Sequence, residues 1–406
     1  MTEAAVVTGL GVAAPNGLGT KAYWAATLAG TTGIAPITRF DPSSYPIHLA
    51  GEVDDFVPED HIETRLLPQT DHMTRMALAA ADWALADAGV DPACLPEYDM
   101  GVVTANASGG FEFGQRELQK LWSKGSRFVS AYQSFAWFYA VNTGQISIRH
   151  GMRGPCGVLV AEQAGGLDAV AEARRNIRRG TRVVVTGGMD AALCPWGLVA
   201  QITSGGLSSC DDPTQAYRPF DRGATGWVPG EGGAILILES ATSARERGAP
   251  NVYGQVAGYA ATFDPKPGSG RGPALRRAAE LALAEAGMSA GEIDVVFADA
   301  SGVPSLDRVE AQAIVALFGP HGVPVTAPKT MIGRLYSGGA PVDLAAALLS
   351  IRDGVIPPTI NVHDISPGIG IDLVTDEPRE QRVESALVLA RGFGGFNSAM
   401  ALRTVR

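Results

Sequence analysis

The chain has 406 residues and a net charge of −10 at pH 7, and 46% of its residues are hydrophobic while 18% are charged. This length can bury a large core, and the acidic balance argues against nucleic acid or an anionic membrane surface as the main partner. Because no apolar run approaches the roughly 18–20 residues of a membrane span, and the four cysteines lack disulfide or zinc spacing, we expect a cytoplasmic protein without a membrane segment or metal site.

The first predicted element is a buried strand from Ala5 to Thr8. The segment AAADWALADAGV, Ala79 to Val90, follows as an amphipathic helix that is closed by a glycine. A short loop then leads into the apolar strand MGVVTANASGG, which begins at Met100. Alternation of strands and helices predicts mainly parallel sheets with helices on their faces.

The same helix and strand recur about 200 residues later along the chain. RAAELALAEAGM, Arg277 to Met288, matches the first helix, and DVVFADASGV from Asp294 matches the first strand. A duplicated unit of this kind implies two related halves. The polar stretch before Pro250 places a boundary there, which gives an N-terminal half over residues 1–249 and a C-terminal half over residues 250–406.

Two segments between these repeats carry notable side chains. GGFEFGQRELQKLW from Gly109 predicts a helix on which Phe111, Gly114 and Leu118 share one face at i, i+3 and i+7. QSFAWFYAVNTGQIS, residues 133–147, concentrates the aromatic side chains Phe135, Trp137, Phe138 and Tyr139. Such a cluster anchors either a buried interface or an internal core, and its sequence favours neither.

A strand-to-helix junction follows in LVAEQAGGLDAVAEARRNIRRG, residues 159–180. The apolar run Gly157 to Ala161 predicts a buried strand, and Gln163 with the small residues after it starts a helix. Small residues let the backbone turn tightly and place one side chain at the helix N-terminus, where negative charge is stabilised. This is the arrangement of a nucleophile elbow, but the amide of Gln163 has no nucleophilic atom to ionise. An ordinary polar helix terminus is the alternative.

Three further features were considered as candidates. Cys156 precedes the junction by seven residues and is expected to be a small core residue rather than a nucleophile. The turn RGFGGFN from Arg391 lacks the spacing of a dinucleotide loop, and the six histidines show no triad or metal-ligand spacing. A basic run either faces an acidic partner or forms a solvated helix end; it consists of Arg174, Arg175, Arg178, Arg179 and Arg182.

Motifs along nearly the whole chain resemble those of β-ketoacyl synthases, in the same order. They are VVTGLGVAAPNGLG near the start, RPFDRGATGWVPGEGGAILILE from Arg218, KTMIGRLYSGG from Lys329, and RGFGGFN. VAEQAGG, with Gln163 where those enzymes carry the cysteine of a T-A-C-S-S motif, is similar to the chain length factors of type II aromatic polyketide synthases. The resemblance implies a thiolase-like α/β fold, in which two duplicated halves form a five-layered α-β-α-β-α sandwich.

The resemblance also implies that the catalytic positions are degenerate. Active synthases use two histidines to bind the thioester carbonyl oxygen and to assist malonyl decarboxylation. Aligned on DRVE, Asp299 takes the place of the first histidine and Arg334 the place of the second. An ionised Asp299 would repel an oxyanion, and Arg334 cannot give up a proton near neutral pH. The chain is therefore not expected to condense acyl units by itself, and Lys329 and Glu310 are expected to be structural.

Three functions agree with this resemblance. In the first, the chain is a non-condensing subunit that pairs with a catalytic ketosynthase and shapes a tunnel for the growing poly-β-ketone chain. In the second, it decarboxylates malonyl carrier protein through Gln163, and in the third it is a purely structural partner. Substrates would be carried on the phosphopantetheine of an acyl carrier protein, and this chain would bind no cofactor directly. The resemblance assigns Phe111, Gly114 and Leu118 to the tunnel, which predicts a long product, and we expect Phe135, Trp137 and Phe138 at the subunit interface.

Overall fold

The computed structural model describes residues 3–266 and 268–405. Its strands are β1 (Ala5–Ala14), β2 (Gly17–Leu18), β3 (Ile34–Pro36), β4 (Leu49–Gly51), β5 (Met100–Ala105), β6 (Cys156–Leu159), β7 (Val183–Asp190), β8 (Gly232–Ser240), β9 (Gly254–Phe263), β10 (Val295–Phe297), β11 (Pro324–Thr326), β12 (Val355–Ile356), β13 (Asp372–Leu373), β14 (Arg379–Glu380), β15 (Ser385–Gly392) and β16 (Phe396–Arg403). Its helices are α1 (Thr20–Leu28), α2 (His72–Ala88), α3 (Phe111–Lys124), α4 (Gln133–Ala136), α5 (Val141–His150), α6 (Gly165–Arg178), α7 (Pro195–Ile202), α8 (Pro213–Ala216), α9 (Ala241–Glu246), α10 (Leu275–Ala286), α11 (Pro304–Phe318) and α12 (Gly339–Asp353).

The two halves of the chain build sheets with the same strand order. Neighbouring strands run β6-β5-β7-β8-β1 in the first half and β11-β10-β15-β16-β9 in the second. Numbered by their position in each half, both sheets read 3-2-4-5-1. The first three strands of each order are parallel and the remaining pairings are antiparallel. The predicted duplication therefore extends to five strands of each sheet, and the second half adds β13 as a parallel edge strand beside β11.

Two details differ from the sequence-based expectation of parallel sheets in separate halves. Each sheet is mixed, because β15 and β16, for example, are joined by a short glycine turn that permits only antiparallel pairing. The sheets are also joined at their edges, where Val6 and Val7 of β1 pair with Gln255 and Gly254 of β9. The boundary after residue 249 stays a prediction.

The structure has five layers, and its three main hydrophobic cores lie on the two outer faces of the sheets and in the space between the sheets. The first lies between α2 and the outer face of the first sheet. A second lies between α10, α11 and the outer face of the second sheet. The largest lies between the sheets, where α6 and α12 contact both of them. Helix α12 is accordingly buried from Gly339 to Ile351. The five-layered α-β-α-β-α sandwich is confirmed.

The repeated helices end as their sequences predict. Helix α2 is followed by Gly89 and α10 by Gly287, and both glycines adopt the left-handed conformation, with φ of 62° and 66°. A residue with a side chain would be strained there, so glycine is the favoured C-terminal signal. Within the described ranges, no helix is long and apolar enough to cross a bilayer.

The strand before the elbow is not buried as predicted. Strand β6 spans Cys156–Leu159 and lies at the edge of the first sheet, where β5 is its neighbour. Cys156 is exposed rather than part of the core, and Val160 just beyond the strand is 50% exposed. An apolar run does not reveal whether its own chain or another one covers it. An exposed apolar edge of this kind is a place where a second chain can pair.

Candidate functional site

The elbow predicted from the sequence lies between β6 and α6. Residues 162–164 form a single 3₁₀ turn, and α6 starts directly after it at Gly165. Glu162 has a φ of 50°, a left-handed conformation that is uncommon for a residue with a side chain. The next glycine, Gly166, is packed so closely that an added Cβ atom would lie 2.3 Å from Pro341. The sharp turn therefore depends on the small residues of the motif.

Gln163 is packed inside this turn. Its side chain is 1% exposed, and its Oε1 atom has no hydrogen-bond partner among the described residues. The amide lies against the start of α12, where a Cβ atom added to Gly339 would be 2.6 Å from Nε2 of Gln163. The side chain thus fills the space between the starts of α6 and α12.

Asp299 and Arg334 form a buried ion pair. The two terminal guanidinium nitrogens of Arg334 each lie 3.1 Å from a carboxylate oxygen of Asp299. The side chain of Asp299 is 2% exposed and that of Arg334 is 8% exposed. Burial by itself would raise the pKa of Asp299, but the charges of Arg334 and Lys329 and its hydrogen bonds outweigh burial and hold that pKa below its usual value. Neither group is available to move a proton at neutral pH.

The same pair holds the glycine turn after β15. The carboxylate of Asp299 accepts the backbone N–H of Arg391 at 2.9 Å, and Arg334 donates to the backbone carbonyl of Arg391 at 3.1 Å. The guanidinium also lies 5.4 Å from the ring centre of Trp227, which is the geometry of a cation–π contact. Four distant segments of the chain are therefore joined at this pair.

Glu162 was not recognised as a site residue from the sequence. One of its carboxylate oxygens accepts the backbone N–H of Gln163 at 2.8 Å and that of Phe393 at 3.0 Å. Burial raises the pKa of Glu162. The signal available in the sequence was its place directly before the amide in the VAEQAGG motif.

A cavity of about 510 Å³ opens beside these residues. Its charged lining consists of Glu162, Asp264, Asp299, Arg334 and Arg391. Both cations are engaged, Arg334 with Asp299 and Arg391 with Asp264 at 3.7 Å and with the carbonyl of Leu306 at 3.2 Å. Among the described residues, each cation that lines the cavity is therefore already paired with a carboxylate, and an incoming carboxylate would have to compete for it. Its lining does not include Gln163, and no cluster of metal-ligating side chains occurs in the described ranges.

Lys329 and Glu310 lie near Asp299 in separate interactions. The ammonium of Lys329 is 2.7 Å from a carboxylate oxygen of Asp343 and donates to the carbonyl of Ala298. Glu310 instead accepts the backbone N–H groups of Asp299 and Ala300 at 2.7 and 2.8 Å. Burial, with the nearby charge of Asp299, raises the pKa of Glu310 to about 7. Both side chains hold backbone in place around the ion pair.

The predicted stripe on α3 meets a tryptophan that the sequence did not suggest. The ring of Phe111 stacks on Trp196, with centroids 4.5 Å apart and planes 9° from parallel. Gly114 is buried, and an added Cβ atom would lie 3.2 Å from the same indole ring. Leu118 is half-buried. Trp196 lies in the first turn of α7, and no local pattern indicates that it contacts α3, whose Gln115 lies 81 residues earlier, so only the fold brings them together.

The aromatic segment divides between core and surface. Phe135 is half-buried and packs against the core that contains α2, and its place at the subunit interface stays a prediction. Trp137, Phe138 and Tyr139 are 43%, 39% and 40% exposed. We call these three residues, together with Phe128, Tyr132, Trp122 and Trp196, the aromatic face, and all of its members are exposed large hydrophobic side chains. Monomeric proteins seldom expose so many large apolar groups around one helix.

The basic run on α6 is largely used within the chain. Arg174 is 2% exposed and contacts Glu285 at 2.8 Å, and Arg178 approaches the same carboxylate. Arg175 and Arg179 pair with Glu172. Arg174 therefore serves an internal ion pair, whereas Arg175 and Arg179 are 45% and 71% exposed, as at a solvated helix end, and their role toward an acidic partner stays a prediction.

Comparisons with known proteins agree with this geometry. Residues 2–244 match the β-ketoacyl synthase N-terminal domain and residues 253–363 the C-terminal domain. The chain is 63% identical to the tetracenomycin polyketide synthase ketoacyl synthase beta subunit of Streptomyces glaucescens, over 98% of both chains. It is 62% identical to the actinorhodin polyketide putative beta-ketoacyl synthase 2 of Streptomyces coelicolor, again over 98% of both. Among solved structures, the ishigamide ketosynthase/chain length factor is similar over 100% of both chains, with a TM-score of 0.92 and 29% identity.

Proposed function

The chain belongs to the β-ketoacyl synthase family, among the ketosynthase beta subunits of polyketide synthases, and on that basis we propose that it is a non-condensing subunit that sets polyketide chain length. It pairs in the cytoplasm with a catalytic ketosynthase and shapes a shared tunnel for the growing poly-β-ketone. The reactive chain is carried on the phosphopantetheine of an acyl carrier protein. A second solved structure that the chain resembles is a complex of a type II polyketide synthase acyl carrier protein with its ketosynthase bound to the hexaketide. The chain matches one chain of that structure with a TM-score of 0.89 and 26% identity, over 100% of both chains.

The observation that carries the proposal is the buried Asp299–Arg334 ion pair. Condensation needs a nucleophile and groups that stabilise the developing oxyanion. Here Gln163 has no nucleophilic atom, the carboxylate of Asp299 repels negative charge, and Arg334 is held by that carboxylate. The chain keeps the fold of a condensing enzyme without its chemistry, so its contribution has to be made through a partner.

The tunnel is assigned to the face of α3 that carries Phe111, Gly114 and Leu118. Phe111 adjoins the aromatic face through its stack on Trp196, and the exposed rings of the aromatic face suit a desolvated contact with a second subunit. Trp196 stacks on Phe111 and would therefore form part of the wall of the proposed tunnel. The indole ring of Trp196 would limit how far the polyketide extends along α3.

A larger side chain on this face is expected to shorten the product. Leu118→Phe narrows the space beside α3, and Gly114→Thr pushes the indole of Trp196 away, because even one added carbon would lie 3.2 Å from it. Each variant, co-expressed with the ketosynthase and carrier protein, should shift the product mixture severalfold toward shorter chains without abolishing condensation. Mass analysis of the polyketides measures the shift.

Ser123→Phe is the matched control for that experiment. Ser123 is exposed on the opposite side of α3, so the same added ring should leave product length unchanged. If neither Leu118→Phe nor Gly114→Thr alters product length at normal heterodimer yield, the tunnel does not run along this face. A purely structural partner predicts no change in product length for any of the three variants, so a shortened product in Leu118→Phe or Gly114→Thr alone excludes it.

Two observations weigh against a priming decarboxylase. A malonyl carboxylate in the cavity would face Glu162, Asp264 and Asp299, while the cations there are already engaged. The amide of Gln163 is packed between α6 and α12 and is not part of the cavity lining. Neither arrangement helps a carboxylate to bind and lose CO₂.

Gln163→Ala therefore tests priming directly. Loss of the buried amide leaves a gap between two helices and is expected to destabilise the subunit by about 0.5–3 kcal/mol, with the same product made at a reduced yield. A preformed acyl starter should not restore the yield, because the defect lies in packing. Full rescue by the starter would instead support a priming role. CO₂ release from malonyl carrier protein, with and without the partner ketosynthase, is the accompanying measurement.

A further inference from the structure

Helix α3 begins without a side-chain cap of its own. Gly110 occupies the N-cap position and provides no side-chain acceptor. The buried carboxylate of Asp71 supplies one, since it accepts the backbone N–H of Phe113 at 2.8 Å. Asp71 is also the N-cap of α2, where it accepts the N–H of Met73 at 2.9 Å. One carboxylate therefore caps two helices and fixes the start of α3 relative to α2.

A second buried carboxylate holds the loop that leads into α3. Asp190 ends β7 and is fully buried. It accepts hydrogen bonds from the side chain of Asn106 at 2.8 Å, from the backbone N–H of Ala107 at 3.0 Å, and from the hydroxyl of Ser108 at 2.9 Å. Each donor lies between the end of β5 and the first turn of α3, so this carboxylate fixes the whole loop.

Asp190 also has a partner on its other side. Ser337, in the turn before α12, donates to it through its backbone N–H at 3.1 Å and through its hydroxyl. The donors to Asp190 thus form two sets, one on the path to α3 and one on the path to α12. Each set contains one serine hydroxyl, that of Ser108 on the α3 side and that of Ser337 on the α12 side. A serine-to-alanine substitution can therefore weaken either set without changing the other.

We propose that Asp190 and Asp71 are positioning residues that set the placement of α3 and thereby help to determine polyketide chain length. The inference rests on the proposed function, in which α3 lines the tunnel. Further along α3, the side chain of Gln115 accepts the backbone N–H of Trp196 at 2.7 Å and that of Glu117 accepts the N–H of Ser130 at 2.6 Å, while the end from Trp122 to Lys124 is exposed. Loosening the start of the helix would displace Phe111 and Gly114 relative to these later contacts.

The test compares Ser108→Ala with Ser337→Ala in the co-expressed complex. Ser108→Ala removes a hydrogen bond on the α3 side and is expected to change the ratio of long to short products severalfold, at unchanged heterodimer yield and total turnover. Ser337→Ala removes a hydrogen bond from the same carboxylate on the other side and is expected to leave the ratio unchanged. Product distribution is the readout that a merely structural loss of stability would not move.

Two outcomes overturn the proposal. One is an unchanged ratio in Ser108→Ala, and the other is an equal change in both variants, which would mean general loosening rather than positioning of α3. If Leu118→Phe shortens the product while Ser108→Ala does not, the positioning role fails and the tunnel assignment stands. Should Ser108→Ala not assemble, Asp71→Asn replaces it, because an amide keeps one acceptor oxygen and cannot cap both helices; an unchanged ratio there overturns the proposal equally.

Discussion

Replacing Arg334 by leucine is expected to lower the free energy of unfolding by about 3–5 kcal/mol, because it leaves a buried carboxylate without its partner. Asp299 is 2% exposed, and without the guanidinium its carboxylate keeps the backbone N–H of Arg391 as its hydrogen-bond donor. The substitution also removes the hydrogen bond to the carbonyl of Arg391, which helps to hold the glycine turn. Urea unfolding of the purified heterodimer at fixed protein concentration measures the change.

Two controls separate charge burial from other effects. Adding Asp299→Asn to Arg334→Leu should restore most of the stability, since the charge is gone and the amide oxygen can still accept the N–H of Arg391. Arg153→Leu removes an exposed arginine from its pair with Glu97 and should cost less than about 1 kcal/mol. Equal stabilities for Arg334→Leu and Arg153→Leu would contradict this account.

The ion pair also predicts a dependence on pH. Despite its burial, the charges and hydrogen bonds around Asp299 hold its pKa below that of an unfolded chain, so folding favours the ionised form. Its contribution to stability is present at neutral pH and is lost as the pH falls through that lowered pKa. In Arg334→Leu the dominant opposing charge is gone, and acid should no longer destabilise the protein through this group.

A charge placed in the aromatic face is expected to abolish pairing with the ketosynthase. Phe138→Asp would bury an unpaired carboxylate in the interface and should weaken association by about 4 kcal/mol or more, on the order of 1,000-fold. Trp137→Ala removes only an apolar anchor, for which about 2–4 kcal/mol is expected. Size measurements on the co-expressed subunits at decreasing concentration report both losses.

Val252→Asp provides the control for that experiment. Val252 is 45% exposed, similar to Trp137, but it lies just before β9 and outside the aromatic face. Its substitution should leave the heterodimer intact. A subunit that remains monomeric in the presence of its ketosynthase, or a Phe138→Asp variant that pairs normally, would contradict the proposed assembly.

The parts of the fold that followed from sequence are those encoded locally. Helices α2 and α10 carry apolar residues at helical spacing and a terminal glycine, and their likeness was enough to indicate two related halves. The edge position of β6 was missed for a physical reason. An apolar run indicates that a strand is removed from solvent. The sequence does not show whether the same chain or a partner subunit removes that strand from solvent.

The site shows the same limit. Asp299 and Arg334 lie 35 residues apart in the chain, and each could be recognised separately as the loss of a catalytic histidine. Their attraction to one another depends on how the end of β10 meets the loop before α12. The contacts of Trp196 with α3 and of Asp190 with Ser108 join segments that lie even further apart in the chain. Pairings of this kind are properties of the folded backbone rather than of any motif.

The position of α12 determines the order in which this chain can fold on the ribosome. Its apolar residues complete the core that lies between the sheets, and it packs on β8 as well as on β15. Strand β8 ends at Ser240, about a hundred residues before α12 begins. Synthesis at about 5–20 residues per second therefore leaves the part of the inner face that α12 covers exposed for about 5–20 s, while α6 already covers the rest. Nascent chains should therefore engage chaperones until α12 emerges, and residues 1–249 expressed alone should aggregate.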